Sequence, residues 1–441
     1  MKIMLCGIAH LLIAATCLAQ TAKPAATPSS LDDIAAITAH ANEGNTEAEV
    51  KLGDAYMRGR GVPRDGAQAL RWFRAAAEKG NADAQYALGN LYGAGIAVKQ
   101  DDVEAAKWLL KAAENGNATA QYNMGVRYAY GRGVPKDEKQ AASWFRKSAE
   151  QGFAPGQLGL AAGYSSGLGL PEDSAEALKW YTRAAEQGLA EAQTKVGYAF
   201  YNGVGTSVNY TQAMLWFQRA AGQKVAEAEF NLGVMYQRGE GVERDFSKAA
   251  EYYRLAGEHG SGLALNNLAA LYEHGTGVPQ DQQQAIKLYA TAAEKGVLRA
   301  QSYLALAYLA GHGVQKDAAQ AAKWMQLAAA QGDAEAECNL ATLYLAGIGI
   351  PQNYEEALAW YQKAADKGYV KAQHNLGALY GTGRGAPKDL VRAYKWLLLA
   401  QQGGFKDGSQ ALDQLRSQMK PEEITAAENE AYEWTRAHPP H

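Results

Sequence analysis

Apolar residues recur along this chain with the spacing of one face of an α-helix. From Ala48, an apolar stripe at i, i+4 and i+8 runs through Leu52 to Tyr56, which is typical of an amphipathic helix. A second stripe follows with i, i+3, i+4, i+7, i+8 spacing and consists of Ala69, Trp72, Phe73, Ala76 and Ala77. The pattern predicts two consecutive helices, which we call helix A and helix B.

This pair of stripes returns every 36 residues, ten times in succession, without an insertion or deletion. The copies begin at Ala48, Ala84, Ala120, Gly156, Ala192, Ala228, Ala264, Ala300, Ala336 and Ala372, and we number positions 1 to 36 from these residues. One helix pair cannot bury both of its apolar faces, whereas stacked pairs bury them against their neighbours. The predicted fold class is therefore all-α: an α/α solenoid of ten helix-turn-helix repeats with terminal capping helices, forming one elongated domain.

Glycine and acidic residues mark the helix ends in each copy. Position 12 is glycine in all ten copies, which suits the left-handed residue that ends a helix. Position 18 is Asp in eight copies and Asn209 or Asn353 in the other two, and a Glu or Gln follows three residues later in eight copies. This spacing predicts a capping box at the start of helix B, in which the Asp oxygen accepts from a backbone N–H and the Glu or Gln side chain reaches back.

The first residues have the pattern of a secretory signal peptide. Lys2 precedes an apolar run from Ile3 to Thr16, and small residues at Cys17 and Ala19 flank Leu18. We expect cleavage after Ala19 and a periplasmic or secreted mature protein. Cys17 leaves lipidation open as an alternative.

The rest of the chain divides by composition and repeat phase. Residues 20–30 are rich in Pro, Ser, Thr and Ala and predict a flexible linker. Residues 31–47 predict an N-terminal capping half-repeat, residues 48–407 the ten repeats, and residues 408–441 C-terminal capping helices and a tail.

Composition and charge exclude several classes of protein. Hydrophobic residues make up 47% of the chain and charged residues 20%, which is enough to form a core. The net charge of -3 gives no basic footprint for nucleic acid. No stretch after the signal peptide is long and apolar enough to span a membrane, and no histidine belongs to a metal-binding motif. We therefore predict no metal and no cofactor.

Taken together, the repeated residues resemble the Sel-one-like repeat family, which is related to the tetratricopeptide repeats. The third copy carries the pattern as Ala120-Gln121, Met124-Gly125, Tyr128, Gly131-Arg132-Gly133-Val134, Asp137, Trp144-Phe145 and Gly152. The resemblance implies a right-handed α/α superhelix that acts as an adaptor, with bacterial members that regulate periplasmic sensors, assist polysaccharide export or mediate host contact. A cysteine-rich branch resembles penicillin-binding and β-lactamase proteins, but this chain lacks its cysteine pairs.

One set of side chains suggests catalysis. Ser302, Cys338 and His374 all occupy position 3 in successive copies. Packed helix axes lie about 8–10 Å apart, which is too far for contact between a nucleophile and its base. We therefore predict no catalytic residue, and expect Cys338 to line the groove as an ordinary cysteine.

Variable positions of helix A are the candidates for binding a partner. The aromatic candidates are Tyr86, Tyr122, Tyr130, Tyr198, Tyr201 and Phe230, and the amides are Asn123, Asn231, Asn267, Asn339 and Asn375. Exposed aromatic rings and amides suit a groove for an extended peptide, although the asparagines could equally bond within their own repeat or face water. We predict a non-enzymatic scaffold that binds a protein or peptide segment on its concave surface. The alternatives are a polysaccharide-binding export scaffold within a cell-envelope complex, and a cell-wall or β-lactam hydrolase.

Overall fold

The computed structural model describes residues 31–405 and 408–438. Across this part of the chain all regular structure is α-helical, which confirms the predicted fold class. The predicted signal peptide, the predicted linker and the last three residues lie outside the described residues. The chain divides into two bodies, the first ending at Val208 and the second beginning at Asn209. The period of 36 residues does not mark this boundary.

The first body contains ten described helices, and each packs against the helices next to it in sequence. Their bounds are α1 Leu31–Asn42, α2 Thr46–Arg58, α3 Gly66–Glu78, α4 Ala82–Ala94, α5 Asp102–Glu114, α6 Ala118–Tyr130, α7 Glu138–Glu150, α8 Ala154–Ser166, α9 Ser174–Glu186 and α10 Ala190–Asn202.

In the second body, thirteen described helices continue the alternation of helix A and helix B and end in a C-terminal cap. Their bounds are α11 Tyr210–Ala221, α12 Ala226–Arg238, α13 Phe246–Glu258, α14 Gly262–His274, α15 Gln282–Glu294, α16 Leu298–Ala310, α17 Ala318–Ala330, α18 Ala334–Ala346, α19 Tyr354–Asp366, α20 Val370–Thr382, α21 Leu390–Gln402, α22 Gly408–Arg416 and α23 Pro421–Ala437.

The turn between helix A and helix B is held by backbone hydrogen bonds. In the first repeat, Gly59 adopts the predicted left-handed conformation at φ 69° and donates its N–H to the carbonyl of Ala55. The Asp65 N–H then donates to the Tyr56 carbonyl at 3.0 Å, which closes the loop. The Asp65 carboxylate accepts from the Ala67 and Gln68 N–H groups at the start of helix B, as predicted.

The predicted capping box also required the Glu or Gln at position 21 to accept from the backbone N–H at position 18. This part of the prediction is wrong in at least two repeats. Glu104 accepts from the Trp108 indole at 3.0 Å and from Lys107 instead, and Glu176 accepts from Lys179. The reason is that the position-18 N–H, such as that of Asp101, already donates to the carbonyl of the tyrosine at position 9. No backbone donor is therefore left for the Glu or Gln side chain.

Small residues let each helix B ring pack against neighbouring backbones. Phe145 at position 26 lies between Gly125 in its own repeat and Gly159 in the next. A Cβ atom at either glycine would come within 2.6 Å or 2.7 Å of the ring. The ring is 5% exposed, so glycine at these two positions reflects a close contact rather than helix propensity, which glycine lowers.

A buried polar pair joins helix A to the end of helix B inside most repeats. In the third repeat, the Gln151 amide donates to Gln121 Oε1 at 2.7 Å and to the carbonyl of Gly116 at 2.9 Å. Gln121 in turn donates to the Ala113 carbonyl at 3.0 Å. These contacts satisfy an amide that is only 6% exposed, which would otherwise cost free energy.

In seven repeats the two residues of this position 2–32 pair match in chemistry. Where position 2 is glutamate, position 32 is a basic residue: the pairs are Glu49 with Lys79 at 2.7 Å, Glu229 with His259 at 2.8 Å and Glu337 with Lys367 at 2.6 Å. Where position 2 is glutamine, an amide faces it in the pairs Gln85 with Asn115, Gln121 with Gln151, Gln157 with Gln187 and Gln301 with Gln331. The pairing was not predicted from the sequence.

Candidate partner-binding surface

The candidate surface consists of helix A positions 3, 4, 7, 10 and 11 in each repeat, and we call it the helix A surface. Charged residues are rare on it. In repeats 1 to 5 they are Lys51, Asp54, Arg58 and Lys195, and in repeats 6 to 10 they are Arg238 and Glu273. By contrast, 22 of the 40 residues at helix B positions 24, 27, 28 and 31 are charged. The two sides of a repeat therefore suit different surroundings.

In the first body the predicted aromatic residues differ in exposure. Tyr130 is exposed at 37%, whereas Tyr86, Tyr122, Tyr198 and Tyr201 are half-buried. The Tyr122 ring lies 5.8 Å from the Phe145 ring and 5.9 Å from the Phe153 ring. Asn123 beside it is also half-buried. This part of the surface therefore presents several half-buried rings and one exposed ring.

In the second body the predicted residues take part in more ring contacts and hydrogen bonds within the protein. Phe230 is half-buried with its ring 5.8 Å from that of Tyr253. Asn231 is only 7% exposed and donates to the Glu227 carbonyl of its own helix at 2.6 Å. Asn267 is hydrogen-bonded to the Tyr253 hydroxyl.

The remaining two asparagines, Asn339 and Asn375, are half-buried. Asn375 is hydrogen-bonded to the Tyr361 hydroxyl, so this amide, like that of Asn267, bonds to helix B of the repeat before it. Part of the bonding capacity of the predicted amide row is thus used inside the protein. Each amide nevertheless carries more donor and acceptor sites than the one used.

Tyrosines at position 26 of helix B are polar groups of this surface that sequence analysis missed. Tyr253 and Tyr361 are fully buried, but their hydroxyls reach Gln237 and Thr342 on helix A of the same repeat. Burial raises the pKa of Tyr253 to about 12 and raises the pKa of Tyr361. The sequence does contain a signal for these hydroxyls. Position 4 of the next repeat is polar wherever position 26 is tyrosine, as at Asn267.

Cys338 does not line the groove, contrary to expectation. It is 4% exposed and belongs to the core formed with Ala341, Tyr361 and their neighbours. Burial raises the pKa of its thiol to about 11, so the thiol is protonated at neutral pH and is a poor nucleophile. His374 stacks on Phe405 with ring centroids 4.2 Å apart.

Among the residues that the structure describes, no group of three or more His, Cys, Asp or Glu side chains is arranged to hold a metal ion. None of the described helices combines the length and the apolar character needed to cross a membrane.

Repeated helical hairpins, each packed on the next, define the class of α/α solenoid repeat proteins. The model of the Sel1 repeat family matches ten consecutive segments of the chain, which therefore belongs to that family, as its residues suggested. The matched segments are residues 46–81, 82–117, 118–153, 154–189, 190–224, 226–261, 262–297, 298–333, 334–369 and 370–405. Proteins of this family are commonly protein-interaction scaffolds.

This chain is similar to two repeat proteins of known structure. The protein c5321, a protective antigen of uropathogenic Escherichia coli that displays an SLR fold, is 34% identical over 92% of this chain and 87% of its own, with a TM-score of 0.73. A Sel1 repeat protein from Oxalobacter formigenes is 30% identical over 78% of this chain and 90% of its own, with a TM-score of 0.47. A comparison with curated proteins finds no match.

Proposed function

We propose that this protein is a non-enzymatic, extracytoplasmic scaffold that holds a segment of a partner protein along the helix A surface. The scarcity of charge on that surface carries the proposal. Tyrosine rings offer a large contact area at small cost in side-chain entropy, and interface hot spots are enriched in them. Asparagine and tyrosine side chains there can pair with the backbone of an extended segment without requiring a charged sequence.

The extracytoplasmic location rests on two observations. The first nineteen residues have the pattern of a cleaved signal peptide. In addition, the similar protein c5321 is a protective antigen, and we propose by analogy that this chain too lies outside the cytoplasm. N-terminal sequencing of the protein recovered from fractionated cells tests the location. The expected first residue is Gln20, and an intact Met1 in the cytosolic fraction would refute it.

Site-specific cross-linking tests the binding surface. A photoreactive amino acid is placed at Tyr130 on helix A or, as the matched control, at Ser143 on the exposed side of helix B in the same repeat. Both positions are exposed, so both variants should fold. We expect protein adducts from position 130 and few or none from position 143, and equal adducts from both would refute the helix A surface.

A neutral polysaccharide is the second candidate ligand, because the same uncharged rings and amides can stack on and bond to sugars. In the cross-linking test it would give adducts whose added mass is removed by glycosidase, whereas protease would digest only this protein and leave the attached polysaccharide intact. A cell-wall or β-lactam hydrolase lacks support among the described residues that were candidates for it, because Cys338 is buried and its thiol is protonated.

A further inference from the structure

Three side chains of repeats 7 and 8, in the second body, form a compact polar cluster on the helix A surface. Glu273 at position 10 accepts from the Tyr289 hydroxyl at 2.9 Å and, on its other oxygen, from the Tyr303 hydroxyl at 2.8 Å. The two tyrosine rings stack with centroids 3.9 Å apart and planes 25° apart. Gln282 donates to the Tyr303 oxygen at 3.1 Å. The carboxylate is therefore fixed in position by both of its oxygens.

Both phenols act as donors, so the negative charge stays on Glu273. Burial and, next in size, the hydrogen bond to Glu273 together raise the pKa of Tyr303 to about 12. Burial and Glu273 also raise the pKa of Tyr289 well above its ordinary value. Each phenol keeps its proton at neutral pH, and each carboxylate oxygen keeps lone pairs for a further donor.

Among the described residues Glu273 has no basic partner, unlike the buried carboxylates Glu229 and Glu337 of the same body. No Lys, Arg or His nitrogen of the described chain lies within 4.0 Å of its oxygens. Glu229 and Glu337, in contrast, have His259 at 2.8 Å and Lys367 at 2.6 Å. Glu273 is half-buried, and it is the only acidic residue on the helix A surface of repeats 6 to 10. A fixed, partly desolvated carboxylate of this kind favours a cation from outside.

We propose that Glu273 and the face of Tyr303 bind an arginine side chain of the partner segment, which rests on the proposed function of the helix A surface. The planar guanidinium can donate to both carboxylate oxygens and stack on a tyrosine ring. Leu306 lies on the same helix as Tyr303, is 51% exposed and offers apolar surface to the aliphatic part of the arginine side chain. The helix A surface thus selects a partner segment that carries one positive charge and is otherwise uncharged.

The preceding repeat supplies a neutral version of the same cluster. There Tyr253 donates to Gln237, which occupies position 10, and bonds to Asn267 at position 4 of the next repeat. Glu273→Gln therefore reproduces an arrangement that this fold already accommodates, and the variant should fold. Glu294→Gln, on the exposed side of helix B in repeat 7, removes the same charge elsewhere and is the matched control.

Peptide binding to the full mature chain tests the proposal. The probes are N-acetyl-Gly-Ser-Arg-Ser-Gly-amide and its twin with citrulline, which has the shape of arginine without its charge, each titrated by calorimetry at low salt. We expect the arginine peptide to bind the unaltered and Glu294→Gln proteins about tenfold or more tightly than the Glu273→Gln protein, since a charge-assisted contact is lost. The citrulline peptide should show the weaker affinity for all three proteins.

Two results would overturn the site. Equal affinity of the arginine peptide for the unaltered and Glu273→Gln proteins would show that Glu273 does not bind it. Equal affinity of the arginine and citrulline peptides would show that charge is not recognised. Cross-linking from Tyr130 separates this failure from failure of the proposed function: adducts that persist while arginine selectivity is absent refute the arginine site alone. Arginine selectivity without any adducts would instead support the site and refute the scaffold surface.

Discussion

Replacing Lys367 by alanine should destabilise the ninth repeat far more than an ordinary exposed lysine would. Lys367 Nζ donates to Glu337 Oε1 at 2.6 Å and to the carbonyl of Gly332 at 2.8 Å. The Glu337 side chain is only 4% exposed, and its second oxygen is buried without a hydrogen-bond partner. Lys367→Ala would therefore leave an entire carboxylate buried and unpaired.

The size of the effect follows from these contacts. Removing one partner of a fully buried ion pair leaves the other charge unpaired, which costs about 3–5 kcal/mol. The Lys367 side chain is 42% exposed, so water can enter the space it leaves and recover part of that loss. We expect the free energy of unfolding to fall by about 2–3 kcal/mol.

The double variant Glu337→Gln with Lys367→Gln separates charge from packing. It recreates the pair of Gln301 and Gln331, in which the amides bond at 2.8 Å and Gln301 donates to the Ala293 carbonyl at 3.0 Å. We therefore expect its stability to return to within about 1 kcal/mol of the unaltered chain.

The assay must report on one repeat, because repeat proteins can unfold in parts. Urea unfolding gives the global change, and hydrogen exchange of the amides in α18 and α19 gives the local one. A loss below about 0.5 kcal/mol for Lys367→Ala, the level of an ordinary surface substitution, would refute the reasoning. So would a double variant as unstable as the single one.

Four further predictions concern the turn glycines, the buried thiol and the helix A surface. Gly133→Ala should lower stability by about 2 kcal/mol or more in urea unfolding, because Gly133 has φ 68° and its Cβ would overlap the Asp102 carbonyl; no loss would contradict this contact. Ala97→Gly should raise stability by up to about 1 kcal/mol, because Ala97 adopts φ 60° at the equivalent position, and a lower melting temperature would contradict that. Cys338 should react with a thiol reagent in the folded protein only as pH approaches about 11, since burial raises its pKa to that value; rapid labelling at pH 8 without unfolding would show that the thiol is exposed. Tyr130→Ala should change stability by less than about 0.5 kcal/mol while reducing partner capture, and unaltered capture would place binding elsewhere.

The fold could be predicted because each turn between helix A and helix B carries its own local signals. Gly59 ends helix A and Asp65 begins helix B through contacts within a few residues. The apolar spacing then fixes which side of each helix is buried, and stacking is the arrangement that covers it. The boundary after Val208 had no such signal, because the period continues through it unchanged.

The candidate surface was harder to predict because its contacts join residues distant in sequence. Tyr289 looked like a core residue from its spacing, and it is 5% exposed, yet its hydroxyl reaches Glu273. Periodicity reports which side of a helix is buried, but not where the tip of a long side chain lies. Asn231 shows the opposite case, since a variable polar position turned out to be buried.

The position 2–32 pair bears on how such a chain can gain or lose length. Both members belong to one repeat, and the second contact of Lys79, to the carbonyl of Gly44, uses a backbone group that every neighbouring repeat can offer. A duplication or deletion of 36 residues that keeps the repeat phase would therefore add or remove both members of such a pair together. Ala97 is an exception, because its Cβ would lie 3.1 Å from a Cβ added to Gly66 of the preceding repeat. Ala97 therefore requires glycine at that position, and those two repeats would have to be inherited together. Recombination between copies should accordingly be tolerated at most repeat borders and selected against at that one.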